Sequence, residues 1–372
     1  MITSIADDDQ LAIVELARGM GLDLLYPVAR EAEEARRIPD RVWSLLLNSG
    51  LVAPIPEELG GGGIPDAQTQ LCAIEHLAYG DVGITLGAMW SGAAALLLAV
   101  HGSADQRNRA GALANNPQAR GAVALYEGHG RAPSEFATMI RATGDGTLHI
   151  SGRKVAVPFA SVADPMVVVG IDPTNGELRA ALVPADGQGV RVEPSSGGLA
   201  LDAAATCSVS FDVTVPAENL VEGSTLSPMS LASTVSRIRL FSAAAQVGAA
   251  QRALDYAASY ATERVAFGRP ISGFQGVSFP LAEAQTSVMQ ARLELADVGA
   301  LLRDGGDAHE EAVTHVVNHC ADVGSEATRT AVQTLGGHGF ITDHPTELWY
   351  RSTAALSTYD FDPLCSSIRT AF

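Results

Sequence analysis

The most constraining feature of this 372-residue chain is the order of three stretches that differ in hydrophobic periodicity. Over residues 10–118 apolar side chains recur at helical spacing, interrupted by a glycine- and proline-rich loop at residues 54–63. Over residues 121–216 the period becomes two, which indicates short strands between Gly, Asp and Pro turns. Helical patterns then return at residues 235–262, 274–304, 309–336 and 347–359.

Helices, then strands, then helices is an uncommon order, and it predicts an α+β protein. We expect an N-terminal α-helical domain over residues 1–120, a middle β domain over residues 121–225 and a C-terminal helical domain over residues 226–372. Strands are predicted at residues 122–126, 139–142, 148–151, 166–171, 178–183 and 208–215. Their regular spacing favours a small β-barrel or sandwich.

Charge and cysteine usage exclude several kinds of partner and site. The chain has 24 Lys and Arg against 42 Asp and Glu, and its net charge of −18 argues against binding to nucleic acid or an anionic membrane. Residues 82–100 are uncharged, but small and polar residues lie in their middle, so a fully buried helix is predicted rather than a membrane span. An acidic start and widely scattered cysteines predict a cytoplasmic protein with no disulfide framework and no metal site.

Two segments in the last third of the chain carry the sharpest functional signal. Residues 264–275 combine arginine, glycine, phenylalanine and glutamine, and residues 333–340 contain three glycines around a histidine. They resemble the paired flavin-binding segments of the acyl-CoA dehydrogenase superfamily. The likeness continues in order at residues 56–63, 151–154 and 246–250, so the chain is similar to a divergent, actinobacterial-type member.

The resemblance implies a fold, a cofactor and a reaction. Similar proteins have an N-terminal α-helical domain, a middle β-barrel and a C-terminal four-helix bundle, and assemble as dimers or homotetramers with FAD at a subunit interface. The implied activity is FAD-dependent α,β-dehydrogenation of an acyl thioester in lipid metabolism, with the acyl group carried on coenzyme A or a carrier protein. Electron-transfer flavoprotein or oxygen would accept the electrons.

The resemblance also assigns cofactor contacts. It assigns Arg264 to the FAD pyrophosphate, with Phe267 and Gln275 beside it on the same flavin, and a planar guanidinium suits a diphosphate. A second set, Gln333, Gly336 and Gly337, would hold the ADP portion from a neighbouring subunit. Glycine there lets the backbone approach the cofactor.

The catalytic base is where the sequence departs most from the family. In similar proteins a carboxylate removes the α-proton while the β-hydrogen leaves as hydride to the flavin. Alignment through Arg351 puts the usual glutamate at Asp360, one methylene shorter, and the alternative glutamate position at Ile238, which cannot be a base. Asp360 is therefore the predicted base, with Arg239 and Tyr359 predicted at the substrate.

Further departures lie beside the implied flavin and substrate. Tyr126 stands where the family usually has threonine, and Ala156 and Pro158 stand where it commonly has tryptophan and a hydroxylated residue. Phe361 and Asp362 replace the glycine and threonine that usually follow the base.

Three hypotheses remain open from the sequence. The first is an acyl thioester dehydrogenase with Asp360 as base. The second is a base-lacking partner subunit of a heteromeric acyl-CoA dehydrogenase, in which a paralogous chain supplies the glutamate. The third is a flavin oxidase or monooxygenase on the same fold, similar to nitroalkane oxidase, whose relatives use aspartate at the corresponding position.

Overall fold

A computed structural model of the chain describes residues 8–128, 131–195, 197–221, 229–302 and 310–360. The predicted site neighbours Phe361 and Asp362, and one of the cysteines, Cys365, lie outside these residues. The N-terminal part is helical, as the periodicity predicts. Its helices are α1 (Asp8–Met20), α2 (Ala29–Ala35), α3 (Asp40–Asn48), α4 (Ala67–Gly80), α5 (Val82–His101) and α6 (Ala104–Asn115).

Helix α5 forms the centre of this part. Asp81 caps its N-terminus by accepting a hydrogen bond from the backbone N–H of Ile84 at 2.7 Å. By length and composition α5 alone among the described helices could cross a bilayer, yet all of its most apolar stretch is buried inside the protein. Close packing requires glycine here, because a Cβ on Gly92 would collide with the carbonyl oxygen of Val52.

The middle part is one mixed sheet of seven strands. Their order is β1-β4-β2-β3-β7-β6, and β5 pairs with the free edge of β4. The strands are β1 (Ala122–Ala124), β2 (Met139–Ala142), β3 (Thr147–Val157), β4 (Met166–Ile171), β5 (Leu178–Val183), β6 (Val190–Pro194) and β7 (Cys207–Pro216). The alternation of β7 between buried and exposed side chains shows one face on the core and one toward solvent.

Long helices form the C-terminal part. They are α7 (Leu231–Glu263), α8 (Gln275–Leu301), α9 (Glu310–Leu335) and α10 (Thr346–Asp360), with the two-residue strands β8 (Val265–Ala266) and β9 (Arg269–Pro270) between α7 and α8. Helix α7 packs against the other three and against α4 of the N-terminal part. A Cβ on Gly248 of α7 would collide with the carbonyl oxygen of Glu75, so the crossing with α4 depends on glycine.

The predicted fold class is confirmed, and two strand predictions need correction. Strand β6 was not predicted, because most of its side chains are at least partly exposed and so show no clear apolar alternation. Strand β3 continues past Gly152, which has a φ of 147° and looks like a strand end in the sequence. The domain boundaries at residues 120 and 225 stay a prediction.

Candidate active site

Asp360, the last described residue of α10, is held by Arg239 of α7. The guanidinium Nε donates to Asp360 Oδ2 at 2.7 Å, and Nη2 donates to Oδ1 at 2.9 Å. The two side chains are 1% and 2% exposed. Because a bidentate contact fixes the plane of the carboxylate as well as its position, the acid has one orientation in the core. The structure thus brings together two residues that the sequence predicts at one site.

Helix α9 completes the support of this pair. Arg239 Nη2 also donates to Thr314 Oγ1 at 2.9 Å, so three helices meet at one guanidinium. Burial raises the pKa of Asp360, although the adjacent Arg239 opposes the shift. Ile238, the alternative base position, is fully buried hydrocarbon. Asp360 is therefore the acid that this arrangement offers.

Aromatic rings surround the acid on the side of α5 and the sheet. Tyr126, two residues after β1, has its ring centroid 5.9 Å from Tyr359 and 6.1 Å from Trp90 of α5. The ring of Phe241 lies edge-on to Trp90 at 5.8 Å. Except for Tyr359, at 6%, these side chains are at most 2% exposed. The Tyr126 hydroxyl is close to Asp360, yet within the described residues it makes no hydrogen bond of good geometry.

Tyr359 contributes its ring rather than its hydroxyl to this cluster. Its hydroxyl lies beside Thr206, just before β7. Burial raises the pKa of Tyr359 well above its ordinary value. The assignment of Tyr359 to the substrate stays a prediction.

A second buried ion pair, which the sequence analysis did not single out, positions the chain segment that carries Tyr126. Lys154 is fully buried, and its Nζ donates to Glu127 Oε1 at 2.9 Å and to the carbonyl of Leu125 at 2.8 Å. Glu127 also accepts from the backbone N–H groups of Ala137 and Thr138. Burial lowers the pKa of Lys154 to about 8, against the opposing effect of Glu127. No local signal in the sequence indicates this pair, because Lys154 lies beyond the predicted end of the strand at residue 151.

The predicted cofactor residues are exposed on the surface, in contrast to the buried ion pairs of Asp360 and Lys154. Arg264 ends α7, and its guanidinium has no partner among the described residues. Phe267 is 96% exposed with a φ of 52°, and its ring contacts that of Phe274 edge-on at 6.3 Å. Gln275 begins α8 and is also exposed.

The second glycine-rich segment lies at the same end of the helices. Gln333 is exposed on the last turn of α9, and a Cβ built on Gly336 or Gly337 would meet nothing within 4 Å. His338 Nδ1 is 3.1 Å from the hydroxyl of Tyr260, which lies one turn before Arg264 on α7. An unpaired guanidinium, exposed amides and glycine backbone with open space in front of it fit a flavin dinucleotide with a diphosphate.

Comparisons with known proteins agree with this fold. Residues 7–112 match the family model of the acyl-CoA dehydrogenase N-terminal domain, and residues 230–360 match that of the C-terminal domain. A short-chain specific acyl-CoA dehydrogenase of Clostridium acetobutylicum is 27% identical over 95% of this chain and 94% of its own length. A chain of Mycobacterium tuberculosis named a probable acyl-CoA dehydrogenase is 31% identical over 90% of this chain and 87% of its own length.

A solved structure extends the likeness to three dimensions. The butyryl-CoA dehydrogenase of Megasphaera elsdenii superposes with a TM-score of 0.82 at 24% identity, covering 97% of this chain and 96% of that one. The fold, the buried acid on the last helix and the open arginine- and glycine-bearing face define a flavin-type oxidoreductase. The chain belongs to the acyl-CoA dehydrogenase family.

Proposed function

We propose that this protein catalyses α,β-dehydrogenation of an acyl thioester, with FAD as cofactor and Asp360 as the base. The observation that carries the proposal is the bidentate contact between Arg239 and Asp360, since it fixes a buried carboxylate in one orientation. The acyl group is carried on coenzyme A or on a carrier protein. Membership of the acyl-CoA dehydrogenase family supports both the reaction and the cofactor.

The Arg239 contact leaves Asp360 able to act. Each carboxylate oxygen has two lone-pair sites, and Arg239 occupies one site on each oxygen. A lone pair therefore remains to take the α-proton, which moves from the α-carbon to a carboxylate oxygen. FAD, when bound, supplies the acceptor for the β-hydride. The raised pKa of Asp360 favours proton transfer at neutral pH, because a base works best when its pKa is close to the pH of the reaction.

We assign the cofactor contacts to the open face. Arg264 would bind the diphosphate, with Phe267 and Gln275 beside the same FAD, while Gln333, Gly336 and Gly337 would bind the ADP portion of FAD. A free guanidinium and an almost fully exposed phenylalanine support a site that another chain completes.

Assembly follows from that assignment. We expect a dimer, or a tetramer built from two dimers, because the two halves of one FAD site would come from different chains. Light scattering of the purified flavoprotein at micromolar concentration measures this directly. A stable monomer with FAD bound would contradict both the assembly and the shared site.

The base is tested by Asp360→Asn. The amide keeps the size of the side chain but cannot take a proton, so we expect FAD binding to persist and anaerobic flavin reduction by acyl thioesters to slow by about 10²–10⁴-fold. Asp360→Glu should change the rate strongly. The rate should rise if the site keeps the spacing of the family and fall if the site is built around the shorter acid. Asp255→Asn, which changes an exposed carboxylate on α7, is the control.

The rate in the parent protein should rise with pH above the range of an ordinary aspartate, near about 3.9, because the pKa of Asp360 is raised.

One observation favours a second candidate, the partner subunit of a heteromeric acyl-CoA dehydrogenase. Arg239 holds both oxygens of Asp360 in the core, which is also the arrangement of a structural ion pair. In that case Asp360→Asn would leave the activity of the heteromer within a few-fold of the parent. A glutamate on the paralogous chain would then be the essential base.

The electron acceptor distinguishes a third candidate, a flavin oxidase or monooxygenase similar to nitroalkane oxidase. We propose electron-transfer flavoprotein as the acceptor, with oxygen as the alternative. Stoichiometric hydrogen peroxide during aerobic turnover would favour the oxidase. Turnover that requires electron-transfer flavoprotein and yields no peroxide would favour the dehydrogenase.

A further inference from the structure

Three buried hydrogen-bond donors in the region of Tyr126 make no hydrogen bond of good geometry with the residues that the structure describes. They are the Tyr126 hydroxyl, Arg239 Nη1 and the indole Nε1 of Trp90, and each atom is buried. The Tyr126 and Trp90 rings are 6.1 Å apart, and Arg239 is close enough to Tyr126 for each side chain to perturb the other. Buried polar groups in native proteins are almost always hydrogen-bonded, so a cluster of three free donors needs an explanation.

The neighbouring acceptors are already engaged in part. Both oxygens of Asp360 accept from Arg239, through Nε and Nη2, and Nη2 also reaches Thr314. The Ser242 hydroxyl donates to the carbonyl of Arg239. One lone pair is left on each Asp360 oxygen, and one of these is needed for the α-proton, so an acceptor that a ligand brings would satisfy donors that the protein leaves unpaired.

Charge decides which acceptor fits. The positive charge of Arg239 is balanced by Asp360 at 2.7 Å, and Glu310 adds a further negative charge nearby. A carboxylate on the ligand would add an unbalanced negative charge in a buried site beside Asp360, which is strongly unfavourable. A neutral oxygen with free lone pairs would satisfy the donors without changing the charge.

We propose that Tyr126, with Arg239 Nη1, forms a specificity site for a neutral oxygen acceptor on the acyl chain, such as an ether or carbonyl oxygen beyond the thioester. This inference rests on the proposed function, because it places the acyl chain beside Asp360. It makes Tyr126, which replaces the usual threonine, the residue that selects an oxygenated acyl group over a plain hydrocarbon.

The test uses unreactive analogues, so that it measures binding without turnover. S-hexyl-CoA and S-(4-methoxybutyl)-CoA are thioethers of equal length that differ by one methylene replaced by oxygen. Calorimetric titration of the FAD-loaded protein should show the methoxy compound binding about two- to tenfold more tightly, the net effect of one neutral hydrogen bond. S-(4-carboxybutyl)-CoA should bind more weakly than the methoxy compound.

Tyr126→Phe removes the hydroxyl and keeps the ring, so the preference for oxygen should disappear or reverse. Tyr79→Phe is the control, because its hydroxyl donates to Asp255 at 2.8 Å, and the preference should persist. The unliganded Tyr126→Phe protein should melt at the same temperature as the parent or higher, since it loses an unpaired buried hydroxyl.

Several outcomes would overturn the proposal. Equal or tighter binding of S-hexyl-CoA by the parent protein would do so, as would tightest binding of the carboxylate or binding of none of the three compounds. A preference that survives Tyr126→Phe would place the acceptor contact elsewhere. A clear drop in melting temperature for Tyr126→Phe without a change in preference would mean that the hydroxyl holds a structural water only. Because no thioether can be desaturated, an oxygen preference in a protein that fails to reduce its flavin with acyl thioesters would refute the proposed reaction alone.

Discussion

Helix α7 carries two arginines in opposite environments. Arg239, in the first third of the helix, is 1% exposed and forms an ion pair with Asp360. Arg264, at the end of the helix, is exposed and has no partner among the described residues. About 25 residues of helix separate them, or about 38 Å. The first arginine finds its ion-pair partner within one chain. The second leaves its guanidinium open, as the proposed contact with the FAD diphosphate requires.

The difference in burial between Arg239 and Arg264 indicates which experiments need the isolated chain and which need the cofactor and the assembled protein. Removing Arg239 should damage the isolated chain, while removing Arg264 should damage only what binds to it. Burial explains the contrast, because an uncompensated charge in the core cannot be solvated, whereas an exposed one can.

Arg239→Met should give the largest effect on stability. It leaves the Asp360 carboxylate buried and unpaired, so the free energy of unfolding should fall by about 3–5 kcal/mol. The loss should be greatest at neutral pH and shrink in acid, because protonation of Asp360 removes the uncompensated charge. Urea unfolding at two pH values measures this.

Two controls sharpen that measurement. Arg191→Met breaks an exposed ion pair with Glu193 and should change stability by less than about 1 kcal/mol. Replacing both partners, as Arg239→Met with Asp360→Leu, should recover most of the stability. A single Arg239→Met as stable as the parent would remove the distinction between the two arginines.

Arg264→Ala should have an intermediate effect, confined to the cofactor. Loss of a charge-assisted contact should weaken FAD binding by about 1.5–3 kcal/mol, while the unliganded protein unfolds as the parent does. Fluorescence titration of the apoprotein with FAD gives the affinity. Arg269→Ala tests whether position matters, since the Arg269 guanidinium instead lies over the Phe274 ring at 4.0 Å. An equal loss of affinity in both variants would contradict the assignment of Arg264 to the diphosphate.

Gly336→Ala and Gly337→Ala form a matched pair with the smallest effects. Gly336 has a φ of 60°, so alanine there should cost the unliganded protein about 1 kcal/mol. Gly337 has no positive φ and open space around it, so alanine should be tolerated until FAD binds. Thermal unfolding with and without FAD separates the two costs. If Gly337→Ala binds FAD as tightly as the parent, the backbone at residue 337 does not approach the cofactor.

The sequence predicted the layers of the fold well because long amphipathic helices give a strong periodic signal. Helix α7 was predicted at residues 235–262 and spans Leu231–Glu263, and α9 was predicted at residues 309–336 and spans Glu310–Leu335. Strand β6 was missed because its side chains are mostly solvated, so their polarity does not report strand geometry.

The site was predicted only as a set of positions. Alignment with a family suggested Asp360 and Arg239, but nothing local connects two residues that are 121 positions apart in the chain. Lys154 and Glu127 lie 27 positions apart on different segments, and their pairing depends on sheet register. The packing of Tyr126 against Trp90 required the relative placement of the sheet and α5, which periodicity does not determine.

The exposure of Phe267 has a consequence for making the protein. With Phe340, 72% exposed, and Phe279, 55% exposed, it gives each newly folded chain several uncovered aromatic rings. Exposed apolar surface of this kind promotes aggregation until it is covered. Because a ligand that binds only the native state stabilises that state by mass action, we expect more soluble protein to accumulate when flavin is abundant during expression. Riboflavin in the growth medium should therefore raise the yield of folded chain as well as supply the precursor of its cofactor.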